Sequence, residues 1–173
     1  MADNSMLVKL ARQGDSDAFA ELYSFYSKDL YRFASYMLNS PDDAEDAVQE
    51  ALLTAFRSIF SLEKPEAFKS WLFKILSNCC KSILRSRGKN PELLSDEEFF
   101  FSLSDDSSPD VITGLELQEA IKSLPPPDGQ IVLLSVIGGF KSHELAKIFE
   151  LPAGTVRSKL KRSLEKLRIR LTV

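Results

Sequence analysis

The C-terminal third of the chain carries a basic helical pattern of the kind that binds DNA phosphates. From Lys141 onwards, nine Lys and Arg residues face three Asp and Glu residues, although the whole chain has a formal charge of −3. Such a local surplus of positive charge is typical of a nucleic-acid-binding surface. The polar side chains predicted to contact DNA share one helix: Arg157, Ser158, Lys159, Lys161 and Arg162.

Two short helices and a tight turn would position these side chains. Leu145, Ile148 and Phe149 follow helical spacing, and Pro152 suits the first turn of the next helix. This arrangement predicts a helix-turn-helix whose second helix enters a major groove. A basic amphipathic helix can also be an ordinary solvated surface helix, and pattern alone leaves that alternative open. The apolar side of the second helix is predicted to be Val156, Leu160, Leu164 and Leu167.

A second polar face lies on a helix near the middle of the N-terminal half of the chain. Ser40 is predicted to cap this helix and Pro41 to be its first residue. Its buried stripe is predicted to run from Ala44 through Phe56 to Ile59, and the helix to about Phe60. Considered without context, the opposite face is best explained as solvated. It consists of Asp42, Glu45, Asp46, Gln49 and Glu50.

A third candidate surface lies on the helix predicted from about residue 66 to Ser86. Basic residues near an aromatic ring and an amide suit an unpaired strand of nucleic acid. Trp71 itself is better explained as a core residue, on an apolar side with Phe68, Leu72, Ile75, Leu76, Cys79 and Ile83. The candidate DNA contacts are Lys69, Lys74, Asn78, Lys81 and Arg85.

The fold class predicted from these patterns is all-α, with two small helical domains joined by an acidic linker. The boundaries are 1–87 for the N-terminal domain, 88–109 for the linker and 110–173 for the C-terminal helix-turn-helix domain. Three further helices are expected at 6–13, 110–123 and 130–137. Another is expected to begin after a capping residue, Asp15 or Ser16. Three phenylalanines, Phe99–Phe101, suggest that the linker docks on something.

Other classes of function lack the residues they need. A single histidine, His143, and no phosphate-binding glycine loop predict no catalytic site, no metal and no cofactor, so the protein is not expected to be an enzyme. The adjacent Cys79 and Cys80 are poorly placed for a disulfide and are expected to be reduced. No apolar run could cross a bilayer and no signal peptide precedes the first helix, so a cytoplasmic protein without membrane insertion is expected.

Four motifs in register resemble the extracytoplasmic-function type of bacterial sigma factors. They are D-D-A-E-D-A-V-Q-E-A-L-L-T-A-F, F-K-S-W-L-F-K-I-L-S-N, L-P-P-P, and E-L-A-K-I-F-E-L-P-A-G-T-V-R-S-K-L-K-R-S-L-E-K-L-R. The resemblance covers the chain outside the linker. It implies a dissociable subunit that binds core RNA polymerase and directs it to promoter DNA, held inactive by an anti-sigma factor.

The resemblance also implies a role for each face. The acidic face of residues 42–50 would contact the polymerase, contrary to the solvated-face interpretation. The next helix would melt and read the −10 element, with Asn78 holding a flipped base and the basic residues on the backbone. The C-terminal helix would read the −35 element, and the linker would pass near the RNA exit path.

The sequence departs from the motifs of this family at two places, and two other classes of function remain as alternatives. Leu62 replaces the aromatic or basic residue of many relatives, and Lys141-Ser142-His143 replaces their usual opening of the helix-turn-helix. One alternative is a free-standing helix-turn-helix regulator with an N-terminal dimerisation or sensing domain, which would bind paired half-sites as a dimer. The other is a helical interaction protein without DNA binding, which the basic C-terminal helix disfavours.

Overall fold

A computed structural model describes residues 4–88 and 114–171, and every regular element in these two stretches is helical. The all-α prediction is therefore confirmed. Apart from Gly88, the predicted linker 88–109 with Phe99–Phe101 lies outside the described residues. The α-helices are α1 Ser5–Arg12, α2 Ser16–Leu38, α3 Pro41–Ser58, α4 Phe68–Ser86, α5 Gly114–Lys122, α6 Asp128–Val136, α7 Ser142–Phe149 and α8 Ala153–Leu171.

The N-terminal unit, α1–α4, begins its helices at the capping residues that the sequence predicts. The Asp15 carboxylate accepts hydrogen bonds from the backbone N–H groups of Asp17 and Ala18, each at 3.0 Å. The Ser40 hydroxyl accepts from the N–H of Asp43 at 3.3 Å, and proline follows as the first helical residue. Each cap satisfies donors that a helix start leaves without partners.

Short 3₁₀ turns, Ile59–Ser61 and Pro65–Ala67, connect α3 to α4. The α3 helix therefore ends at Ser58, two residues before the predicted end. Phe56 was predicted to be buried, but it is 46% exposed and contacts Phe19 edge-on at 5.2 Å between ring centroids. The α2, α3 and α4 helices cover one another on a common apolar core.

The buried side of α4 differs from the prediction by one position. Phe68, Leu72 and Leu76 are buried as expected, whereas Trp71, Ile75, Cys79 and Ile83 are only partly buried. The α4 helix is covered on two sides, by α2 and α3, so its buried stripe is wider than periodicity indicates. The residues that complete its buried side are Phe73, Ser77, Cys80 and Leu84.

The C-terminal unit, α5–α8, contains the predicted helix-turn-helix as α7 and α8. At the start of α7, Glu144 accepts a hydrogen bond from the Lys141 N–H at 2.8 Å. Glu150, the residue that follows the helix, is in the left-handed conformation with φ 56°. The α6 helix begins at Asp128, two residues earlier than predicted. On α8, Val156 and Leu167 are buried, but Leu164 is 43% exposed, contrary to prediction.

The two units pack against each other through α4 and the turn between α6 and α7. The ring of Phe73, which is fully buried, contacts Phe33 at 6.0 Å within its own unit and Phe140 at 5.1 Å in the other. Both aromatic pairs have edge-on geometry, which aromatic rings favour. We call this packing of α4 on α7 and the α6–α7 turn the closed arrangement.

Candidate protein and nucleic-acid interfaces

The predicted acidic face of α3 lies in solvent along its whole length. The opposite side of the helix is anchored by Ala44, Ala47, Ala51 and Ala55, all at most 2% exposed. Because these small residues let α3 approach α2 and α4 closely, the polar side chains are carried on a well-supported helix. All five predicted residues are exposed: Asp42, Glu45, Asp46, Gln49 and Glu50.

An open groove of about 760 Å³ runs between α3 and α4. One wall includes Asp46, Gln49 and Glu50, and the other includes Asn78, so predicted polymerase and DNA contacts share one surface. From the sequence alone, these two sets were predicted to be separate faces. Helical periodicity orders residues around one helix, but it does not say which sides of two helices meet.

A buried carboxylate closes one end of this groove. Asp43 is 4% exposed and pairs with the guanidinium of Arg87, which joins the start of α3 to the end of α4. On the α4 wall, burial and the nearby Glu50 carboxylate raise the pKa of the Cys79 thiol, and burial raises the pKa of the Cys80 thiol. Both thiols are therefore protonated at neutral pH.

Exposed apolar residues lie beside the acidic face, and they were not predicted from the sequence. Leu53 lines the groove and is 49% exposed, while Phe56 and Phe60 are 46% and 68% exposed. Gln49, Leu53 and Phe56 are four and three residues apart, which places them on one side of α3, whereas Phe60 follows in the 3₁₀ turn after the helix. That spacing was visible in the sequence, but Phe56 also fitted the predicted buried stripe.

The five candidate DNA contacts of α4 have different environments. Asn78 and Arg85 are exposed, and Lys81 is partly buried. Lys69 donates a hydrogen bond to the carbonyl of Gly138, and its ammonium lies 4.7 Å from the centroid of the Phe140 ring. In the closed arrangement, Lys69, one of the predicted DNA contacts, is therefore bound to the C-terminal unit.

Lys74 also contacts the C-terminal unit. Its ammonium lies 2.9 Å from a carboxylate oxygen of Glu150, at the end of α7. The hydrogen bond and charge of Lys74 lower the pKa of the Glu150 carboxyl group. Because both side chains are well exposed, this ion pair contributes little to stability on its own.

The exposed side of α8 presents the predicted −35 contacts, with one exception. Arg157, Ser158, Lys161 and Arg162 all lie in solvent. Lys159 instead turns toward the interior, where its ammonium lies 2.8 Å from the carboxylate of Asp128. Four of the five residues predicted on this helix therefore form one continuous polar face.

In the part of the chain that the structure describes, no helix is both long and apolar enough to cross a membrane. Within the same residues, no group of three or more His, Cys, Asp or Glu side chains is placed to hold a metal ion.

Comparison with protein families defines the class of this two-unit helical protein. Residues 22–90 match the Sigma-70 region 2 family, and residues 114–167 match the Sigma-70 region 4 family. The first range includes both walls of the groove, and the second includes α7 and almost all of α8. The two helical units are therefore those of a sigma-70 type transcription factor.

Curated relatives specify the group within that class. The chain is 31% identical over 178 residues to the ECF RNA polymerase sigma factor SigW of Bacillus subtilis, covering 95% of this chain and 94% of the relative. It is 34% identical over 149 residues to RNA polymerase sigma factor SigV of the same organism, covering 85% and 87%. The chain belongs to the extracytoplasmic-function sigma factors. It is an alternative sigma factor that binds core RNA polymerase and directs it to promoters, and the free-standing regulator is not favoured.

Solved structures show the same fold. The chain superposes with a TM-score of 0.75 on RpoE, solved in complex with the anti-sigma factor NepR from Bartonella quintana, at 25% identity and over 90% of this chain and 97% of that one. The TM-score is also 0.75 for CnrH, solved in complex with the cytosolic domain of CnrY, at 21% identity and over 98% and 97% of the two chains.

Proposed function

We propose that the acidic face of α3 is the surface that binds core RNA polymerase. Five exposed polar side chains on a helix whose other side is buried support this assignment: Asp42, Glu45, Asp46, Gln49 and Glu50. The neighbouring exposed residues Leu53 and Phe56 extend the surface with apolar area. A partner helix with basic and apolar side chains would match both parts, since interfaces combine an apolar centre with a polar rim.

We assign recognition of the −10 promoter element, which is melted during promoter opening, to α4. Asn78 is exposed in the groove and can donate and accept hydrogen bonds to an unpaired base. Lys81 and Arg85 are spaced to follow a phosphate backbone further along the helix. Lys69 and Lys74 complete the set only after α7 and the α6–α7 turn have moved away, because both contact the C-terminal unit in the closed arrangement.

For the −35 element, we assign base and phosphate contacts to the outer side of α8: Arg157, Ser158, Lys161 and Arg162. Their exposure and shared helix side support a major-groove position. Lys159 is also one of the predicted DNA contacts, but its pairing with Asp128 favours a role inside the C-terminal unit. The corresponding domain boundaries would be 1–87, 88–109 and 110–173.

An anti-sigma factor is the partner we propose for the inactive state. RpoE, which has the same fold, was solved with an anti-sigma factor, and the closed arrangement offers such a partner a single two-unit surface. We also propose that the protein works in the cytoplasm and without catalysis of its own, since sigma factors act by binding. Competition between core polymerase and a candidate anti-sigma factor for the purified chain would test this partner.

The decisive experiment is a pull-down with bacterial core RNA polymerase. We expect the wild type to bind and the double variant Asp46→Arg/Gln49→Ala to lose at least tenfold in affinity, because it places a like charge against the basic partner. The matched control is Glu21→Arg, which changes charge at an exposed position of α2. Equal binding by the double variant and the wild type would refute the assignment of this face.

A further inference from the structure

A mostly buried ion pair connects the start of α6 to the middle of α8. Asp128, the first residue of α6, is only 8% exposed. One of its carboxylate oxygens accepts a hydrogen bond from the Lys159 ammonium at 2.8 Å. The other lies 3.4 Å from the hydroxyl of Ser163, a longer contact. Both oxygens therefore face donors that belong to a single helix, α8.

The spacing of the two donors makes this contact sensitive to rotation of α8. Lys159 and Ser163 are four residues apart, so they lie one above the other on the same side of the helix. Each residue advances by roughly 100° around the axis, because an α-helix has 3.6 residues per turn. A small rotation of α8 would move both donors away from Asp128 together. The same rotation would swing Arg157 and Arg162 away from their present directions.

A polar residue interrupts the buried side of α8. Its buried residues are Val156, Ser163 and Leu167, so the central one of the three is a serine. Leu164 and Ile169 are 43% and 70% exposed and do not widen the apolar contact. Apolar contacts with α5, α6 and α7, to which the partly buried Leu160 contributes, hold α8 against the unit, but such contacts are non-directional. The directional hydrogen bonds of this ion pair add a specific constraint on the rotation of α8.

We propose that Asp128 is a positioning residue that sets the rotation of α8 through Lys159 and Ser163. It thereby determines which side chains face the −35 element. Lys159 acts within the C-terminal unit in this scheme and does not contact a DNA phosphate. The inference rests on the proposed function of α8 in −35 recognition.

The test separates positioning from phosphate contact by salt dependence. Each phosphate that a lysine or arginine neutralises contributes about 0.9 to the slope of log affinity against log salt concentration. A positioning residue changes the preference for base sequence without changing that slope. Holoenzyme reconstituted with core polymerase would be titrated with a promoter selected by the wild type and with the same promoter carrying a scrambled −35 element, at several salt concentrations.

We expect Lys159→Met and Asp128→Asn each to lower the preference for the intact −35 element at least fivefold, since even one misplaced base contact accounts for such a loss. The salt slope should be unchanged for both variants. Arg162→Met is the matched control, because it removes one exposed charge from the same helix. If Arg162 contacts a phosphate, its slope should fall by about 0.9. Asp128→Glu should recover part of the preference, because it keeps the carboxylate.

Two results would overturn the inference. One is a fall of about 0.9 in the slope for Lys159→Met, which would identify Lys159 as a phosphate contact. The other is an unchanged −35 preference for Asp128→Asn. Should Lys159→Met fail to fold, the double variant Asp128→Asn/Lys159→Met leaves no unpaired buried charge, and its slope is compared with that of Asp128→Asn alone.

Failure of the proposed function would look different. In that case the wild-type holoenzyme would not distinguish the intact from the scrambled −35 element at all, and Arg162→Met would change neither slope nor preference. That outcome would refute the role of α8 in −35 recognition, independently of the role of Asp128. Retention of −35 preference by the wild type and its loss in Asp128→Asn would support both the function and the inference.

Discussion

Replacing Lys69 with methionine should open the closed arrangement. The Lys69 ammonium makes two contacts with the C-terminal unit, one with the carbonyl of Gly138 and one with the face of the Phe140 ring. Methionine keeps most of the length and apolar surface of the side chain but removes the charge and all donors. The substitution therefore isolates the polar part of the contact between the two units.

The size of the effect follows from these two contacts. A hydrogen bond from a charged donor contributes about 1.5–3 kcal/mol net, and a partly exposed cation–π contact about 0.5–1 kcal/mol. Because one partly exposed ammonium makes both contacts, the contributions do not simply add, and about 2 kcal/mol is a reasonable total. The ratio of closed to open molecules should then fall roughly 30-fold.

Single-molecule energy transfer on the full chain would measure this ratio. Dyes attached through unnatural amino acids at the exposed positions Glu21 and Glu165 report on the distance between the units. Lys81→Met is the matched control, because it makes the same change on α4 about 18 Å along the helix axis from Lys69. Equal populations in the Lys69 variant and the wild type, or an equal shift in both variants, would refute the contribution assigned to Lys69.

Three further predictions concern stability and reactivity. Gly138→Ala should destabilise the protein by about 1–3 kcal/mol, because the added Cβ would lie 2.6 Å from a ring carbon of Phe140. In Gly154→Ala the added Cβ meets no heavy atom within 4 Å, so this variant should stabilise α8 by about 0.4–1 kcal/mol. Urea unfolding of both variants would show whether the two changes in free energy have opposite signs. Arg87→Ala should lower stability by about 1–3 kcal/mol, because it leaves the buried carboxylate of Asp43 without its partner, and an unchanged melting temperature would contradict this. The raised pKa of Cys80 keeps its thiol protonated at pH 8, so a disulfide reagent should label it only after unfolding, and rapid labelling of the native protein would show that it is not buried.

Most of the helices could be predicted from the sequence, because their signals are local. The caps at Asp15 and Ser40 act within three residues, and periodicity separates a helix's buried side from its solvated side. The burial of α4 and α8 was harder to predict. Phe73 and Leu84 were missed because α4 is covered by more than one neighbour. Leu164 follows the apolar spacing of α8 but remains exposed, although α8 packs against α5, α6 and α7.

The candidate surfaces divide in the same way. Residue type and helical spacing placed the acidic face of α3 and the basic face of α8, and the structure leaves nearly all of those side chains in solvent. It also brings Asn78 into one groove with Glu50, and it turns Lys159 inward to Asp128. Neither arrangement has a local signal, because the two residues of each pair lie 28 and 31 positions apart in the chain.

The sequence by itself thus determined the helical class, the helix starts and the charge of each face, since these depend on residues within one or two turns of each other. The tertiary structure decided which faces meet. It put Lys69 and Lys74 against the C-terminal unit and paired Asp128 with Lys159. No sequence pattern around these four residues indicates a partner. Such contacts arise from the packing of whole helices, whose relative positions depend on the complete apolar surface of each one and not on any short pattern.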